Sequence, residues 1–444
     1  MSPALFGPAR RGPFEPGPSG HTVGRMAGLS PETRALLDAA AAGRAGEVAL
    51  LLADPRADPA AESNGAIRNA AENGHTEVVA LLLAGGALDP RVDPSADNNF
   101  AIRRAAENGH AAVVALLLAG GALDPRVDPA AGGNYAIIFA AENGHDGVVA
   151  LLLAGGALDS RVDPTAANNG AFRGAADKGR AEVVALLLGD PRVDPAAVNN
   201  YAIRYAAKHG HTKVVALLLA GGALDPRVDP AAGGNNAIIF AAENGHTEVV
   251  ALLLADSRVD PSAANSGALR WAAAKGRAEA VALLLADPRA DPAAVDNSAI
   301  RRAAENGHVS VVALLLGDPR VDPSADGNFA IRAAACCGRA EVVALLLGDP
   351  RVDPAAKRDL ALRVAANFGQ TAAAALLLAD PRVDPAVLDP PEFAAFRARP
   401  DVAEALARRR RWGPRRAAWA GAVVAAAAAW ARADDAPAAA LAGR

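Results

Sequence analysis

The sequence predicts an all-α solenoid of about eleven helix-turn-helix repeats joined by short extended fingers. Three observations predict it: one glycine recurs at two fixed spacings, apolar residues at helical spacing flank each copy, and paired prolines separate the copies. Because one such unit cannot bury its apolar face alone, neighbouring units must stack into a continuous core. Hydrophobic residues make up 52% of the 444 residues and charged residues 21%, which is enough apolar surface for that core.

The recurring glycine sets the register of the repeat. It returns after 31 or 35 residues, and each longer interval contains the same four-residue insertion, such as Gly85-Gly86-Ala87-Leu88. Insertions of one size at one place predict a single loop position on one face of the array. The glycines are Gly43, Gly74, Gly109, Gly144, Gly179, Gly210, Gly245, Gly276, Gly307, Gly338 and Gly369.

Each copy contains two predicted helices and a finger. In the first helix, Ala101-Ile102 and Ala105-Ala106 form one apolar stripe, and Gly109 supplies the left-handed residue that ends a helix. Residues 76–83 form the second helix, in which Thr76 suits the amino end and Val and Leu provide the buried face. The two prolines of residues 89–94 forbid helix and predict turns, so the finger lies between helix pairs.

This pattern resembles the ankyrin repeat. Ala70-Ala71, Gly74-His75 and residues 78–83 match the family's motif, and the resemblance covers about residues 34 to 385. Two departures recur: Ala66-Ile67-Arg68 replaces the Pro-Leu-His portion, and Asp-Pro-Arg-Val-Asp-Pro replaces the usual finger. The resemblance implies the ankyrin architecture of stacked helix pairs.

Composition and charge narrow the class of protein. The net charge of −4 gives the whole chain no electrostatic reason to bind nucleic acid, so no nucleic-acid partner is expected. The only cysteines, Cys336 and Cys337, are neighbours that point in different directions on a helix, so neither a disulfide nor a metal site is predicted. Without a secretory apolar segment after Met1, the expected location is the cytoplasm, with the nucleus as the alternative.

Two columns of the first helix vary from copy to copy more than their neighbours do. They lie four residues apart, so both should lie on one helix face and form ladders along the concave side of the array. All three tyrosines of this aromatic-poor chain fall in these columns. The partner-binding candidates are Phe100, Arg104, Tyr135, Phe139, Tyr201, Tyr205, Phe240, Trp271, Arg302 and Phe329, which together we call the aromatic ladder.

Two hypotheses account for the aromatic ladder. Aromatic and arginine side chains on a concave surface are typical of protein-recognition hot spots. Alternatively, these side chains fill gaps between neighbouring first helices, as apolar residues at helical spacing usually do. Tyr201 and Tyr205 favour recognition, because a buried hydroxyl would need a hydrogen-bond partner.

Other recurring residues are interpreted as structural. The histidine column, from His75 to His308, contains arginine or glutamine in other copies, so it indicates a turn or capping group and no metal site. The Arg and Asp of each finger should form an exposed ladder between adjacent fingers, contributing at most about 1 kcal/mol per pair. No nucleophile, acid and base stand apart from the repeat, and no glycine-rich phosphate loop occurs, so neither an enzyme nor a cofactor is predicted.

The sequence divides into three parts. Residues 1–29 are rich in Pro, Gly and Arg and are expected to be disordered, residues 30–390 form the repeat array, and residues 391–444 form a basic and alanine-rich helical cap or tail. The tail contains Arg408–Arg411, Trp412, Arg415 and Arg416, followed by the apolar run 417–431, which is shorter than a bilayer requires. The basic cluster also suits nuclear localisation or contact with an anionic membrane.

These observations predict a non-catalytic scaffold, expected to be a monomer, that binds protein partners along the concave face and fingers of the array. The alternative is a membrane-tethered adaptor whose basic and apolar tail is the anchor.

Overall fold

The fold is all-helical, as predicted. A computed structural model describes residues 28–86, 91–121, 126–158, 161–222 and 226–411, and these contain helices and turns without a β-strand. The chain divides into two compact units, residues 1–166 (unit 1) and residues 167–444 (unit 2). Eleven helix pairs lie in the described residues, which confirms the predicted number of repeats.

Each repeat contributes a first and a second helix, with odd and even numbers respectively. Unit 1 contains α1 (Pro31–Ala41), α2 (Ala45–Leu52), α3 (Ala61–Glu72), α4 (Thr76–Gly86), α5 (Ala96–Glu107), α6 (Ala111–Gly121), α7 (Ala131–Asn143) and α8 (Asp146–Leu158). The unit boundary falls within α9 (Ala166–Asp177). Unit 2 continues with α10 (Ala181–Leu188), α11 (Ala197–His209), α12 (Thr212–Gly222), α13 (Ala232–Asn244), α14 (Thr247–Ala255), α15 (Ala263–Ala274), α16 (Ala278–Ala286), α17 (Ala294–Asn306), α18 (Val309–Gly317), α19 (Ala325–Cys336), α20 (Ala340–Leu347), α21 (Ala356–Asn367) and α22 (Thr371–Ala379).

The core of each unit lies between the two rows of helices. In unit 1, α3 packs on α1 and α5, while α4 packs on α2 and α6, and α11 to α22 in unit 2 pack in the same way. The predicted apolar stripe is completely buried, as Ala101 and Ile102 show, and so are Val113 and Leu117 of the second helix. Small alanines let the first helices approach closely, and the Val and Leu side chains supply most of the buried apolar area.

The first helices from α3 onward open with an unusual turn. Glu62, Ser63 and Asn64 have φ angles of 52°, 55° and 62°, in the left-handed region. Ten such triplets occur in the described residues, and they include the β-branched Val198 and Val295. A left-handed conformation costs an L-residue about 1–2 kcal/mol, so these turns need support from other contacts.

One arginine of the same helix supports seven of the ten turns, whereas Arg363, at this position in α21, is exposed and makes no such bond. Arg204 donates from Nε to the Asn199 carbonyl at 2.9 Å and from Nη2 to the Val198 carbonyl at 3.1 Å. These carbonyls belong to the left-handed residues, so the guanidinium braces the turn from five and six residues away. The arginines that brace their turns in this way, here called the brace arginines, are Arg68, Arg103, Arg173, Arg204, Arg270, Arg301 and Arg332.

Two repeats make the same turn without an arginine. In α7 and α13 the brace position is occupied by Ile138 and Ile239. The corresponding left-handed residues are Gly132-Gly133 and Gly233-Gly234, with φ angles of 68° to 74°. Because glycine adopts this conformation without a Cβ clash, these turns need no brace.

The third left-handed residue of each turn links neighbouring repeats. Asn99 is 7% exposed, and its Oδ1 accepts a hydrogen bond of 2.7 Å from the backbone N–H of Asp128 in the next finger. The same bond to the next finger is made by Asn64, Asn134, Asn169, Asn200, Asn235, Ser266, Asn297, Asn328 and Asp359. This column therefore fixes each finger on the preceding first helix.

The histidine column caps helices, as the sequence predicted. His110 donates from Nε2 to the Glu72 carbonyl at the end of α3, at 3.0 Å, and Arg277 and Gln370 make the equivalent bond in their repeats. The ring also lies against the recurring glycine: a Cβ on Gly74, which has a φ of 77°, would lie 2.5 Å from His110 Nδ1. The glycine is required by its conformation and by this close approach.

Each finger that is described in full is built from two successive β-turns. In one finger, Val193 N–H donates to the Asp190 carbonyl at 3.1 Å and Ala197 N–H donates to the Asp194 carbonyl at 3.2 Å. A proline follows the first residue of each turn, where its fixed φ is favourable. Val193 lies in the core, so the finger is anchored by its central apolar residue.

The charged ladder predicted between fingers forms only in part. After a four-residue insertion, the finger arginine pairs with the preceding finger, as in Arg126–Asp93 at 3.5 Å. In the shorter fingers it pairs within its own finger instead, as in Arg289–Asp287 at 2.6 Å. Arg289 also donates to the Val259 carbonyl of the preceding finger at 3.0 Å. Adjacent fingers of this shorter kind are thus joined by bonds to backbone carbonyls.

The C-terminal segment packs on the last repeat. Two short 3-10 turns, Pro385–Leu388 and Pro391–Phe393, lead into α23 (Ala394–Arg397) and α24 (residues 400–411). Arg409, within the predicted basic cluster, donates from Nη1 to the carbonyls of Leu378 at 2.7 Å and Asp380 at 2.6 Å. Arg409 therefore binds backbone carbonyls at the end of the last repeat, as a finger arginine binds carbonyls of the preceding finger.

Candidate functional site

The aromatic ladder lies on the first helices, immediately after the left-handed turns. All ten of its residues are partly exposed or exposed, while the alanines beside them are buried. Trp271 is the most exposed aromatic of the ladder at 44%, and Arg302 is also exposed. The structure thus leaves the ladder accessible in both units, and partner binding by these residues stays a prediction.

In unit 1 the polar groups of the ladder bond to carboxylates. Tyr135 and Phe139 stack with ring centroids 3.9 Å apart, as their spacing of four residues predicts. The Tyr135 hydroxyl donates to Glu107 Oε2 at 2.7 Å, and Arg104 donates to the same oxygen at 2.6 Å. Arg104 also lies 3.7 Å from Glu72. The polar groups of this section therefore satisfy one another.

In unit 2 the corresponding pair is Tyr201 and Tyr205. Their rings stack with centroids 3.9 Å apart and are nearly parallel, at 10°. Neither hydroxyl has a hydrogen bond to another described residue. The surrounding groups are cationic: Arg173 lies 5.2 Å from the Tyr201 ring and Lys208 lies 5.1 Å from the Tyr205 ring. Two half-buried phenols and several cations therefore lie together at this face of α11.

Further along unit 2, Trp271 and Arg302 come together from neighbouring first helices. The Arg302 guanidinium lies 5.9 Å from the Trp271 ring. Phe240, on the helix between Tyr205 and Trp271, is half-buried. Phe329 lies between two arginines, with Arg301 at 4.4 Å and Arg332 at 5.4 Å. The structure thus surrounds most of the ladder rings with cations, and each such contact contributes about 0.5–1 kcal/mol at an exposed site.

Several groups on this face have perturbed pKa values. Burial, followed by the hydrogen bond to Glu107, raises the pKa of Tyr135 to about 12, and burial, followed by the charge of Asp177, raises that of Tyr201 to about 12. Burial lowers the pKa of the Arg270 guanidinium, and the nearby charge of Arg302 lowers it further. Burial also lowers the pKa of His209, although Asp177 opposes that change.

The sequence analysis missed the brace arginines as part of this face. Besides supporting the turns, they cover the first-column ring of the following repeat: Arg68 lies 4.5 Å from the Phe100 ring, and Arg103 lies 5.1 Å from the Tyr135 ring. The signal was present, because this column is arginine in most copies and isoleucine only where two glycines precede it. The left-handed turn that explains the pattern requires the backbone geometry.

Groups that could suggest catalysis or metal binding have structural surroundings. The described residues contain no cluster of three or more His, Cys, Asp or Glu side chains placed to hold a metal ion. Six of the eight histidines, those of the histidine column, cap first helices. Cys336 is half-buried and Cys337 is exposed, and burial raises the pKa of Cys336.

The remaining predictions for the tail lie beyond the described residues. Trp412, Arg415, Arg416 and the run 417–431 are among these, so the anchor and localisation hypotheses stay predictions. Among the helices of residues 28–411 that the structure describes, none is long and apolar enough to cross a membrane.

Comparison with known families identifies the fold. A family model for ankyrin repeats, three copies in length, matches residues 36–127, 105–199, 172–265, 203–296, 269–358 and 300–389. These matches overlap across most of the chain, so the protein belongs to the ankyrin repeat family. Ankyrin repeats are generally non-catalytic protein-interaction modules. No curated protein matches the chain.

Proposed function

We propose that this chain is a non-catalytic scaffold that binds partner proteins through the aromatic ladder of its first helices. The observation that carries the proposal is the contrast within each first helix: neighbouring alanines are fully buried, whereas the ladder aromatics keep part of their surface in solvent. Large rigid aromatic surfaces beside arginines are typical of binding hot spots. In this proposal residues 30–390 are the binding array and the segment that follows is its cap.

The competing packing hypothesis makes a different demand on the same side chains. A ring that only fills a gap should be enclosed, and its removal should cost about 3–5 kcal/mol of folding free energy. Trp271 is 44% exposed, and the Tyr205 ring makes its main ring contact with Tyr201, on the same helix face. These contacts support a role beyond filling space between helices.

The test compares binding with stability in the full-length chain. A partner captured from lysate is identified and purified, and its Kd is measured for the wild type and for the double variant Tyr205→Ala/Trp271→Ala. We expect affinity to fall by about 2 kcal/mol or more, roughly 30-fold, because hot-spot truncation removes contact area with the partner. The control is Phe368→Ala, which truncates an exposed aromatic outside the ladder columns. Unchanged affinity together with a large loss of stability would support the packing hypothesis.

A further inference from the structure

The unit 2 section of the ladder carries cations that no nearby carboxylate neutralises. Arg173, Arg204, Lys208, Arg270 and Arg302 form no ion pair with any carboxylate of the described residues. The brace arginines among them donate to neutral backbone carbonyls, as Arg173 does to Asn168 and Ala167 at 2.8 and 2.9 Å. Such bonds fix the position of the guanidinium and leave its charge uncompensated.

Two of the acidic groups near these cations lie against other side chains. Asp177 lies 3.4 Å from His209 and 3.8 Å from Lys178. Glu243 lies 4.0 Å from Lys275. Glu305, three residues after Arg302, forms no ion pair with Arg302. Burial lowers the pKa of the Arg270 guanidinium, and the charge of Arg302, whose guanidinium lies 5.9 Å from the ring of the adjacent Trp271, lowers it further. An incoming anion would relieve the repulsion between Arg270 and Arg302.

The cations form two clusters separated by a first helix without Lys or Arg. The first cluster is Arg173, Arg204 and Lys208 around the stacked tyrosines, and the second is Arg270 and Arg302 beside Trp271. Between them lies α13, which carries Phe240 and Ile239, and its one charged residue, Glu243, lies 4.0 Å from Lys275. The cations of this face therefore lie on both sides of α13 and not on it.

This order favours a polypeptide over a nucleic acid as the occupant. A phosphodiester backbone carries a uniform charge and would place phosphates over α13 as well, where no cation lies to meet them. A polypeptide can alternate carboxylates with an apolar side chain. Neighbouring helices pack about 10 Å apart, so α11 and α15 are separated by about 20 Å, which an extended chain covers in about six residues. Arg302 belongs to α17, and its guanidinium lies 5.9 Å from the Trp271 ring of α15.

We propose that the unit 2 ladder binds an extended acidic peptide segment. Its carboxylates pair with Lys208 and the arginines of the first cluster and with Arg302 of the second, and an apolar side chain between them contacts Phe240. This inference rests on the proposed function and adds the chemical class and the register of the partner. Unit 1 does not offer such a site, because Glu72 and Glu107 already hold Arg104.

The test uses a fluorescein-labelled peptide, Glu-Glu-Ser-Ser-Leu-Ser-Ser-Glu-Glu, and fluorescence anisotropy with the full-length protein at low salt. We expect saturable binding that weakens as salt rises. Lys208→Gln and Arg302→Gln should each weaken it by about fivefold, the effect of losing one exposed ion pair. The matched control is Arg104→Gln, at the ladder position in α5 that Arg302 occupies in α17, and it should leave the affinity within about twofold.

Three further probes decide the outcome. A peptide with Gln in place of each Glu should not bind, and a peptide with all four Glu together at one end should bind more weakly. Equal binding of the Gln peptide, or equal effects of Arg104→Gln and Arg302→Gln, would overturn the inference. Tighter binding of a single-stranded oligothymidylate that depends on Lys208 and Arg302 would overturn it in favour of nucleic acid. If the acidic peptide fails while a captured partner still depends on Tyr205 and Trp271, only this inference fails and the proposed function stands.

Discussion

Each unit contains a stacked aromatic pair on a first helix, but the tyrosine hydroxyls of the two pairs have different surroundings. Tyr135–Phe139 in unit 1 and Tyr201–Tyr205 in unit 2 each stack with centroids 3.9 Å apart after the same left-handed turn. In unit 1 the hydroxyl reaches Glu107, which also holds Arg104. In unit 2 the equivalent position in the preceding repeat is Asp177, which pairs with His209 instead. Gly174 also replaces Arg104 in that repeat, so the polar groups satisfy one another in unit 1, whereas the Tyr201 hydroxyl has no hydrogen bond to another described residue in unit 2.

This difference shows that different residues determine the backbone structure of the array and the chemistry of its surface. Brace arginines, buried asparagines and capping histidines build the repeats of both units. The side chains of the preceding first helix, Arg104 and Glu107 in unit 1 but Gly174 and Asp177 in unit 2, then determine whether the tyrosine hydroxyl has a partner. The hypothesis that the two units share a scaffold but differ in surface chemistry can be tested by mutating matched positions in both.

The largest expected effect tests the shared scaffold. Asn99→Ala in unit 1 and Asn200→Ala in unit 2 should each cost about 2–3 kcal/mol of unfolding free energy, because a buried asparagine side chain is removed and the part-buried N–H of the next finger loses its acceptor. Denaturant unfolding measures both costs. The control is Asn98→Ala, since Asn98 is left-handed too but exposed, and should cost about 1 kcal/mol. Clearly unequal costs in the two units would contradict a common scaffold.

A smaller effect is expected where the two surfaces differ. Glu107→Gln should destabilise the protein by about 1 kcal/mol, because Arg104 and Tyr135 lose a charged acceptor on a partly exposed surface. Asp177→Asn in unit 2 should cost less than about 0.5 kcal/mol, because its contacts are longer and more exposed. Thermal unfolding of the two variants makes the comparison. Equal losses would mean that the unit 2 ladder is held by carboxylates after all.

The smallest effect is one of pH. The folded pKa of Tyr135 and of Tyr201 is raised from 10 to about 12, so each neutral phenol adds stability that is fully present below pH 10 and is lost as pH rises towards 12. Phenolate absorbance follows this directly, since the chain has only three tyrosines. Glu107→Gln should move the pKa of Tyr135 towards its ordinary value and leave that of Tyr201 unchanged. Movement of both values would mean that Glu107 acts through the fold as a whole.

Much of the fold was predictable from the sequence because it depends on local periodicity. The glycine spacing gave the number of repeats, and the four-residue spacing of the columns placed Tyr201 on the same face as Tyr205. The histidine column was correctly interpreted as capping, because arginine and glutamine replace histidine in other copies.

What the sequence did not reveal depends on distances between repeats. Val198 and Val295 are residues that disfavour a left-handed turn, and only the brace arginine and the buried asparagine explain why the turn forms there. Whether a finger arginine lies within ion-pair distance of the carboxylate of the preceding finger changes with the length of the preceding loop, as Arg126 and Arg289 show. The free hydroxyls of unit 2 depend on whether a carboxylate reaches them, which spacing along the chain does not determine.

The left-handed turn occurs in an arginine-braced form and in a Gly-Gly form, and these two forms limit how the sequence of the array can evolve. Replacing Arg204 alone by Ile would leave Val198 in the left-handed conformation without its hydrogen bond. Replacing Ile239 by Arg would add a guanidinium beside Gly233-Gly234, a turn that needs no support. Residue choices six positions apart are therefore tied together. Losing the arginine before the glycines are gained passes through an unfavourable intermediate, whereas copying or exchanging a complete repeat keeps turn and brace together. A family of such arrays should accordingly diversify by the shuffling of whole repeats.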